Sequence, residues 1–595
     1  MKKWVCSICG HIHTGSAPPE NCPVCGAPAS AFKEVKENAE EPKMETSAFP
    51  TQADIVVIGS GAAGFSAAIT ARAGGASVIL LEKASAVGGT TARSGGGYWI
   101  PSNRYQKEAG YADSREDCLR YMARYSYPHL YRKDAPRLGL PQREYALLEA
   151  YCDNACRAVD YLDEIGALHS ILEINWTGKP QVDYQNHLPE NKDIRGRSIY
   201  PRTEEGNMGM GAELIRQLES WARAHAITIV TDCEAHTLLT DAQGRVSGVL
   251  ARHRGQGIHF TAEKAVIFGS GGYSHNAEYM LQFQRGPHYG GCSVPTNTGD
   301  FIRMAGRIGA RIGNTAGAFR AQSMIEMALR EPGGSSNVFY LPGDSMMLVN
   351  KYGLRVVDEK RNYTDRAMVH FQWDAQKAES TNLVTFMLYD QRTASLWQGY
   401  PPFPVLGTDA EWPDHILKAD TWEELSSEIQ SRLEKLAPHT GGFTLDASFT
   451  ENLKKTVSDF GRYAAEGKDA DFRRGDFAYD REWTTFPPTV PGAQWPPSDS
   501  PNYTLYPLGA EGPYYAVLLA AGTLDTNGGP VTDENANILS WEDKPIRGLY
   551  GAGNCIASPT ANAYWGAGST IGPALTFGYI AAKHALKQNG AAAVQ

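Results

Sequence analysis

An α/β fold is predicted by three features of this sequence. The first is the buried-strand run DIVVIG from Asp54, which turns through glycines into the helix-like AAGFSAAITARAG. The second is the strand SVILLE, which ends on Glu82. The third is AVIFGSGGYSHN at 265–276, again a strand that stops in glycines. Strand and helix signals alternating in this way indicate a Rossmann-like domain built on a parallel sheet.

The elements follow in order. Residues 1–35 are a compact Cys/Gly/Pro-rich unit, and 36–52 are a polar linker carrying Pro42 and Pro50. Residues 53–325 hold the first part of the dinucleotide-binding domain. Residues 326–508 are expected to form an inserted α+β substrate or cap domain. Its 395–508 stretch, rich in Pro, Trp and Tyr, reads as loops and caps over a core. Residues 509–595 return to α/β character as the second part of the first domain.

Composition narrows the function classes. Of 595 residues, 42% are hydrophobic and 21% charged, which excludes a disordered chain. Lys+Arg 56 against Asp+Glu 66 gives −10, so no nucleic-acid surface is expected. No run approaches the ~18 apolar residues of a membrane span. The opening MKKWVCSICG lacks an apolar core, so no secretory signal is expected. Four of the ten cysteines cluster and six are scattered, which suits a reducing, cytoplasmic setting. Oligomeric state is not legible.

The cluster is Cys6-Ser-Ile-Cys9-Gly and Cys22-Pro-Val-Cys25-Gly. Each pair lets two thiolates converge on one ion, and tetrahedral S₄ suits zinc or a single iron. So small a unit also needs such a staple to fold. The run WVCSICGHIHTGSAPPENCPVCGAPASAF resembles the rubredoxin-like domain of rubrerythrins. That resemblance implies an Fe(Cys)₄ centre and one-electron transfer; cysteine spacing alone does not separate iron from zinc.

In the glycine loop, Gly59 makes the turn, Gly61 lets a pyrophosphate approach with Ala62 and Ala63 opening the helix, and Gly64 allows helix–strand packing. Glu82 stands where a carboxylate holds a ribose hydroxyl. The loop itself does not separate FAD from NAD. A second glycine surface favours FAD: Gly88, Gly89, Thr90, Thr91, Ser94, Gly95, Gly96 and Gly97. So do Gly269 to Gly272 and the glycine-rich turns before a C-terminal apolar helix. Residues 84–103 hold no His or Cys, so FAD is expected to be non-covalent.

These segments together resemble the flavoprotein family of fumarate reductases and 3-ketosteroid Δ1-dehydrogenases. The likeness is strongest to the ketosteroid branch in SGGGYWIP, GPYYAV, GNCIAS and AYWGAGSTIGPALTFGYIAAKHA. It implies cofactor contacts at Lys83, Ala235, Gly271, Asn554, Ser569 and Ile571 as well. The fumarate branch carries cations where this chain has Tyr564, Leu524-Asp525 and Tyr363. Phenols in place of cations suit a neutral carbonyl compound rather than a dicarboxylate.

The resemblance assigns Tyr564 and the Gly568 N–H as donors to a substrate ketone, and Tyr363 as the group that exchanges the α-proton. A third phenol falls on Tyr184, with Tyr200 the alternative. It implies hydride exchange between the β-carbon and the flavin, interconverting a cyclic or steroid ketone and its α,β-unsaturated enone. Trp565 replaces the family's usual proline, which is expected to reshape the pocket. The appended one-electron centre suits a redox partner protein or quinone-type acceptor and favours enone reduction. The alternative is a fumarate- or urocanate-type carboxylate-ene reductase, which needs an arginine such as Arg361 or Arg366.

Overall fold

The computed structural model describes residues 2–6, 12–20, 28–35, 49–331, 333–334, 336–397 and 413–588. At the centre of the first domain, strand Gln52–Ile58 runs parallel to Val78–Leu81, which runs parallel to Thr228–Val230. On its other side lies Gln256–Phe268, also parallel, and beyond that the antiparallel Val246–His253 and Cys233–Thr240. Late in the chain, Pro545–Gly551 returns to pair in parallel with Val266 to Phe268. The Val/Ile/Leu runs are explained by this placement: a parallel strand is covered on both faces, and Val78–Leu81 is buried throughout.

Helix Ala62–Ala73 packs along Ile571–Leu586. Small residues allow this. A Cβ on Gly578 would collide with the Ala63 carbonyl, and Ser66 donates to Leu575 O at 2.6 Å across the contact. The chain termini of the domain are thereby locked together around the glycine loop.

A second sheet is antiparallel and runs in the order Asn337–Val338, Ala318–Met324, Tyr514–Thr526, Val384–Asp390, Met346–Val349. Ile416–Ala419 pairs with Tyr514–Thr526 as well. Tyr514–Thr526, from the second part of the first domain, thus pairs both with Ala318–Met324 of the first part and with Val384–Asp390 and Ile416–Ala419 from the 326–508 stretch.

Much of 395–508, expected as loops, is helical. Trp422–Thr440 and Phe449–Glu466 cover the second sheet. Thr421 and Glu424 form a capping box, and Leu425, Ile429, Leu433 and Leu436 bury one helix face. The surrounding Pro and Trp masked that periodicity in the sequence. Residues 398–412 lie outside the described residues.

At the N-terminus, Lys2–Cys6 pairs antiparallel with both Ile12–Gly15 and Phe32–Val35. Cys9, Cys22, Cys25 and the Cys6 side chain lie outside what is described, as do linker residues 36–48. No helix among the described residues is long and apolar enough to cross a membrane.

Candidate active site

A cavity of about 590 Å³ runs from the ends of the parallel strands to the edge of the second sheet. Its walls take in Gly59, Gly61, Ala62, Ala63, Glu82, Lys83 and Ala235 at one end. The second glycine surface follows, with Gly89, Thr90, Thr91 and Ser94 to Gly97, then Gly271, Asn554 and Ile571. Tyr184, Tyr363, Tyr564 and Gly568 line the same cavity. Gly64, Gly88 and Ser569 stand behind the wall. A Cβ on Gly64 would overlap Gly59 O, Gly88 packs on Ala92 and Ile215, and Ser569 Oγ bonds within its own turn.

The first end fits an extended dinucleotide. Gly59 has φ +94°, and a Cβ there would strike the Gly269 carbonyl. Helix Ala62–Ala73 opens toward the cavity with no side-chain cap from Gly61; its Ala62 N–H donates to Thr91 Oγ1 at 3.1 Å, and the helix N-terminus favours a pyrophosphate there. Glu82 accepts from Ser60 N at 3.0 Å, Ser60 Oγ at 2.6 Å and Ala84 N at 2.8 Å. A carboxylate has about four acceptor positions, so one remains for a ribose hydroxyl. Lys83 is held by Glu234 at 2.9 Å and Asp300 at 3.0 Å.

The other end is phenolic. Tyr184 Oη donates to Tyr363 Oη at 2.7 Å. The Tyr184 ring stacks on Tyr564 at 5.3 Å, and Tyr363 meets Tyr564 edge-on at 5.6 Å. Thr570 donates to Tyr564 Oη at 3.2 Å, which leaves the Tyr564 proton free to be donated. The Gly568 N–H lies beside the same hydroxyl. Its φ of +92° and the tight approach of Tyr98 backbone admit only glycine there. Burial pushes the Tyr184 and Tyr363 phenols well above their ordinary pKa, and Tyr564 up as well. Phe339, Tyr340 and Trp483 complete an apolar wall.

Each phenol is positioned by a different element. Tyr363 begins helix Tyr363–Ala367, whose N-cap Asn362 accepts from Thr364 N and Asp365 N. Tyr564 and Gly568 sit in the turn before Ile571–Leu586. Tyr184 lies in a loop, fixed by its N–H to Trp565 O at 3.1 Å. The adjoining Asp183 binds buried Arg197 at 2.6 Å and Trp99 Nε1 at 2.6 Å; Arg197 also binds Asp113 at 2.7 Å. Asp183→Ala is expected to cost about 3 kcal/mol in urea unfolding, because it strips one partner from an enclosed guanidinium.

Three expectations change. The Trp565 side chain does not reach the cavity: it packs on Trp99 at 5.2 Å and Tyr151 at 5.4 Å, and donates to Ser126. Arg361 and Arg366 are not cavity residues either. Arg361 pairs with Asp480 at 2.9 Å, and Arg366 donates to Gln322 and backbone carbonyls. Arg93 does line the cavity, donating to Ser293 O at 3.2 Å and Gly333 O at 2.6 Å.

Sequence reasoning missed Asp525 as a hub. Its carboxylate accepts from Gly272 N at 3.0 Å, Asn297 at 2.9 Å and Asn554 at 3.0 Å, fixing two cavity amides. Glu173 was missed because it carries no motif. Tyr200, left as an alternative to Tyr184, also lines the cavity and neighbours Glu173.

Comparison with known proteins agrees with the fold and with FAD as the dinucleotide. The family model described as FAD binding domain matches residues 54–571. The model described as rubrerythrin, rubredoxin-like domain matches residues 4–33. The 4-oxocyclohexanecarboxylate 2-dehydrogenase of Sinomonas cyclohexanicum is 31% identical over 89% of this chain and 92% of that protein. The 3-oxosteroid 1-dehydrogenase of Mycolicibacterium smegmatis is 28% identical over 89% and 96%. Among solved structures, 3-ketosteroid Δ1-dehydrogenase from Sterolibacterium denitrificans, in complex with 1,4-androstadiene-3,17-dione, matches with TM-score 0.74. It is 25% identical over 90% of this chain and 100% of that one. With nearly its whole length after the linker matched, the chain belongs to the FAD binding domain family, among flavin-dependent oxidoreductases.

Proposed function

We propose that this protein interconverts a cyclic ketone and its α,β-unsaturated enone. The observation that carries the reading is the meeting of three phenols and the Gly568 N–H at the end of the dinucleotide cavity. Tyr564 and Gly568 donate to the substrate oxygen and stabilise enolate character, while Tyr363 moves the proton at the α-carbon. Tyr184 donates to Tyr363 and stabilises its ionised form. When bound, the flavin supplies the two-electron donor or acceptor for the β-carbon. Phe339, Tyr340 and Trp483 exclude water and hold an alicyclic ring.

The residues assigned to FAD are those on the cavity wall, from Gly59 to Ile571, with Glu82 on a ribose. Residues 1–35 are proposed to hold one iron in Cys6, Cys9, Cys22 and Cys25 and to pass single electrons between the flavin and a redox partner. The free thiols of Cys118, Cys152, Cys156, Cys233, Cys292 and Cys555 support a reducing, cytoplasmic setting. Metal analysis of the purified protein is expected to return about one iron per chain, with a red Fe(Cys)₄ absorption lost in Cys9→Ser. Zinc alone in the N-terminal unit would remove the electron relay.

Carboxylate-ene reduction is the second reading, and Arg93 favours it. Its guanidinium is on the cavity wall with no carboxylate partner among the described residues. Anaerobic flavin reduction by 3-ketosteroids and cyclohexanones tests the primary reading; a failure of all such ketones to reduce it, with enones also failing to reoxidise it, would refute it.

A further inference from the structure

Among the described residues, four carboxyl groups line the cavity: Glu82, Glu173, Asp300 and Asp525. Glu82 is held by Ser60 and Ala84 with its remaining acceptor position assigned to a ribose hydroxyl, Asp525 is satisfied by backbone and amide donors, and Asp300 pairs with Lys83 at 3.0 Å. Glu173 has no such use. It follows strand Ser170–Leu172, and its N–H is tied to Ser198 O at 3.3 Å, so its backbone is fixed. Its carboxyl lies beside the Tyr200 hydroxyl. Its Oε2 is enclosed and has no hydrogen-bond partner. No ion pair reaches Glu173 among the described residues.

The neighbourhood is that of the substrate end. A Cβ on Gly97 would meet the Tyr200 ring, while Gly568 packs against Gly97 and Tyr98. The titratable side chains facing Glu173 are Tyr200 and Tyr479, both phenols raised by burial. Burial with no cation nearby pushes the Glu173 pKa up to about 8. Near neutral pH the group is therefore largely a carboxylic acid, able to donate as well as accept. An enclosed polar atom facing a cavity is costly unless a ligand completes it.

We infer that Glu173 is a specificity-determining residue that binds a second, uncharged polar group of the substrate, a hydroxyl or carbonyl other than the ketone held by Tyr564. The inference rests on the ketone–enone reading and deepens it. It names the substrate class as cyclic ketones bearing a further neutral oxygen function. Rings bearing a carboxylate are disfavoured, because no cation stands beside Glu173 and its ionised form repels them. Ketones with only alkyl substituents leave Oε2 unsatisfied.

The test uses the full-length flavoprotein and three matched probes: 4-hydroxycyclohexanone, 4-methylcyclohexanone and 4-oxocyclohexanecarboxylate. Two readouts are taken, kcat/KM with a dye acceptor and dissociation constants from ligand-induced flavin absorbance changes. The wild type is expected to favour the hydroxy ketone over both others by about tenfold or more. Glu173→Leu is expected to abolish that preference while leaving kcat for the methyl ketone within about twofold. Glu173→Gln keeps the preference and removes its fall as pH rises through about 8.

A hydroxy-to-methyl ratio unchanged in Glu173→Leu overturns the inference, as does an equal loss on all three probes. If Glu173→Leu does not fold, a fall of the hydroxy-to-methyl preference with pH that persists in Glu173→Gln overturns it. Turnover absent with every ketone, but a binding preference that still depends on Glu173, would refute the reaction and keep the residue's role.

Discussion

Tyr363→Phe is expected to lower kcat by about 10²–10⁴-fold while leaving bound flavin and KM nearly unchanged. The hydroxyl receives the Tyr184 hydrogen bond at 2.7 Å, and the Tyr363 ring meets Tyr564 edge-on at 5.6 Å. Its ring packs edge-on against Phe339, and phenylalanine keeps that packing. The loss therefore falls on proton transfer rather than on the fold. Steady-state kinetics with spectral quantitation of flavin reads the difference. Turnover equal to wild type would remove Tyr363 from the reaction.

The pH profile carries a sign. Burial raises the Tyr363 pKa above its ordinary value, opposed by the Tyr184 hydrogen bond. Ketone oxidation needs the ionised phenol, whose fraction grows about tenfold per pH unit below its pKa. Oxidation is thus expected to accelerate with pH across the neutral range. Enone reduction uses the neutral phenol and stays flat over the same range. Tyr184→Phe withdraws the donor that stabilises the phenolate and shifts the oxidation profile to higher pH.

Tyr564→Phe is expected to cost about 10²–10³-fold in kcat, the usual worth of one donor to a developing oxyanion. Thr570 donates to the Tyr564 oxygen, so the Tyr564 proton is left for another acceptor, and the Gly568 N–H lies beside the same hydroxyl. Like Tyr363→Phe, this change acts on both oxidation and reduction. It also weakens binding of ketone-shaped ligands. An unchanged kcat in both directions would show that the ketone is held by some other group.

Much of this was legible from the chain. The DIVVIG run, the glycine loop and Glu82 are a local pattern, because a strand, a turn and a helix N-terminus are contiguous in sequence. Tyr363 and Tyr564 were found through resemblance, and the structure brings them together although 201 positions separate them. That figure is the difference between their sequence numbers. What was hidden depends on tertiary placement. Trp565 looked like a pocket residue, but its ring turns into the Trp99–Tyr151 core. Arg93 sat within an expected cofactor segment, yet its guanidinium reaches carbonyls of a distant loop. Glu173 lies in no pattern; only the cavity reveals an acid whose Oε2 has no hydrogen-bond partner. The helices Trp422–Thr440 and Phe449–Glu466 were obscured by flanking prolines and tryptophans, although the Thr421–Glu424 capping box was there to be read.

The central claim is that uncharged phenol and amide donors hold a ketone oxygen at the end of the dinucleotide cavity. One comparison tests it most directly: oxidation of reduced methyl viologen by the purified protein with cyclohex-2-enone and with fumarate, side by side. The account predicts enone turnover at least about a hundredfold above fumarate, the scale of one well-placed donor set. Faster reduction of fumarate, lost in Arg93→Gln, would contradict it.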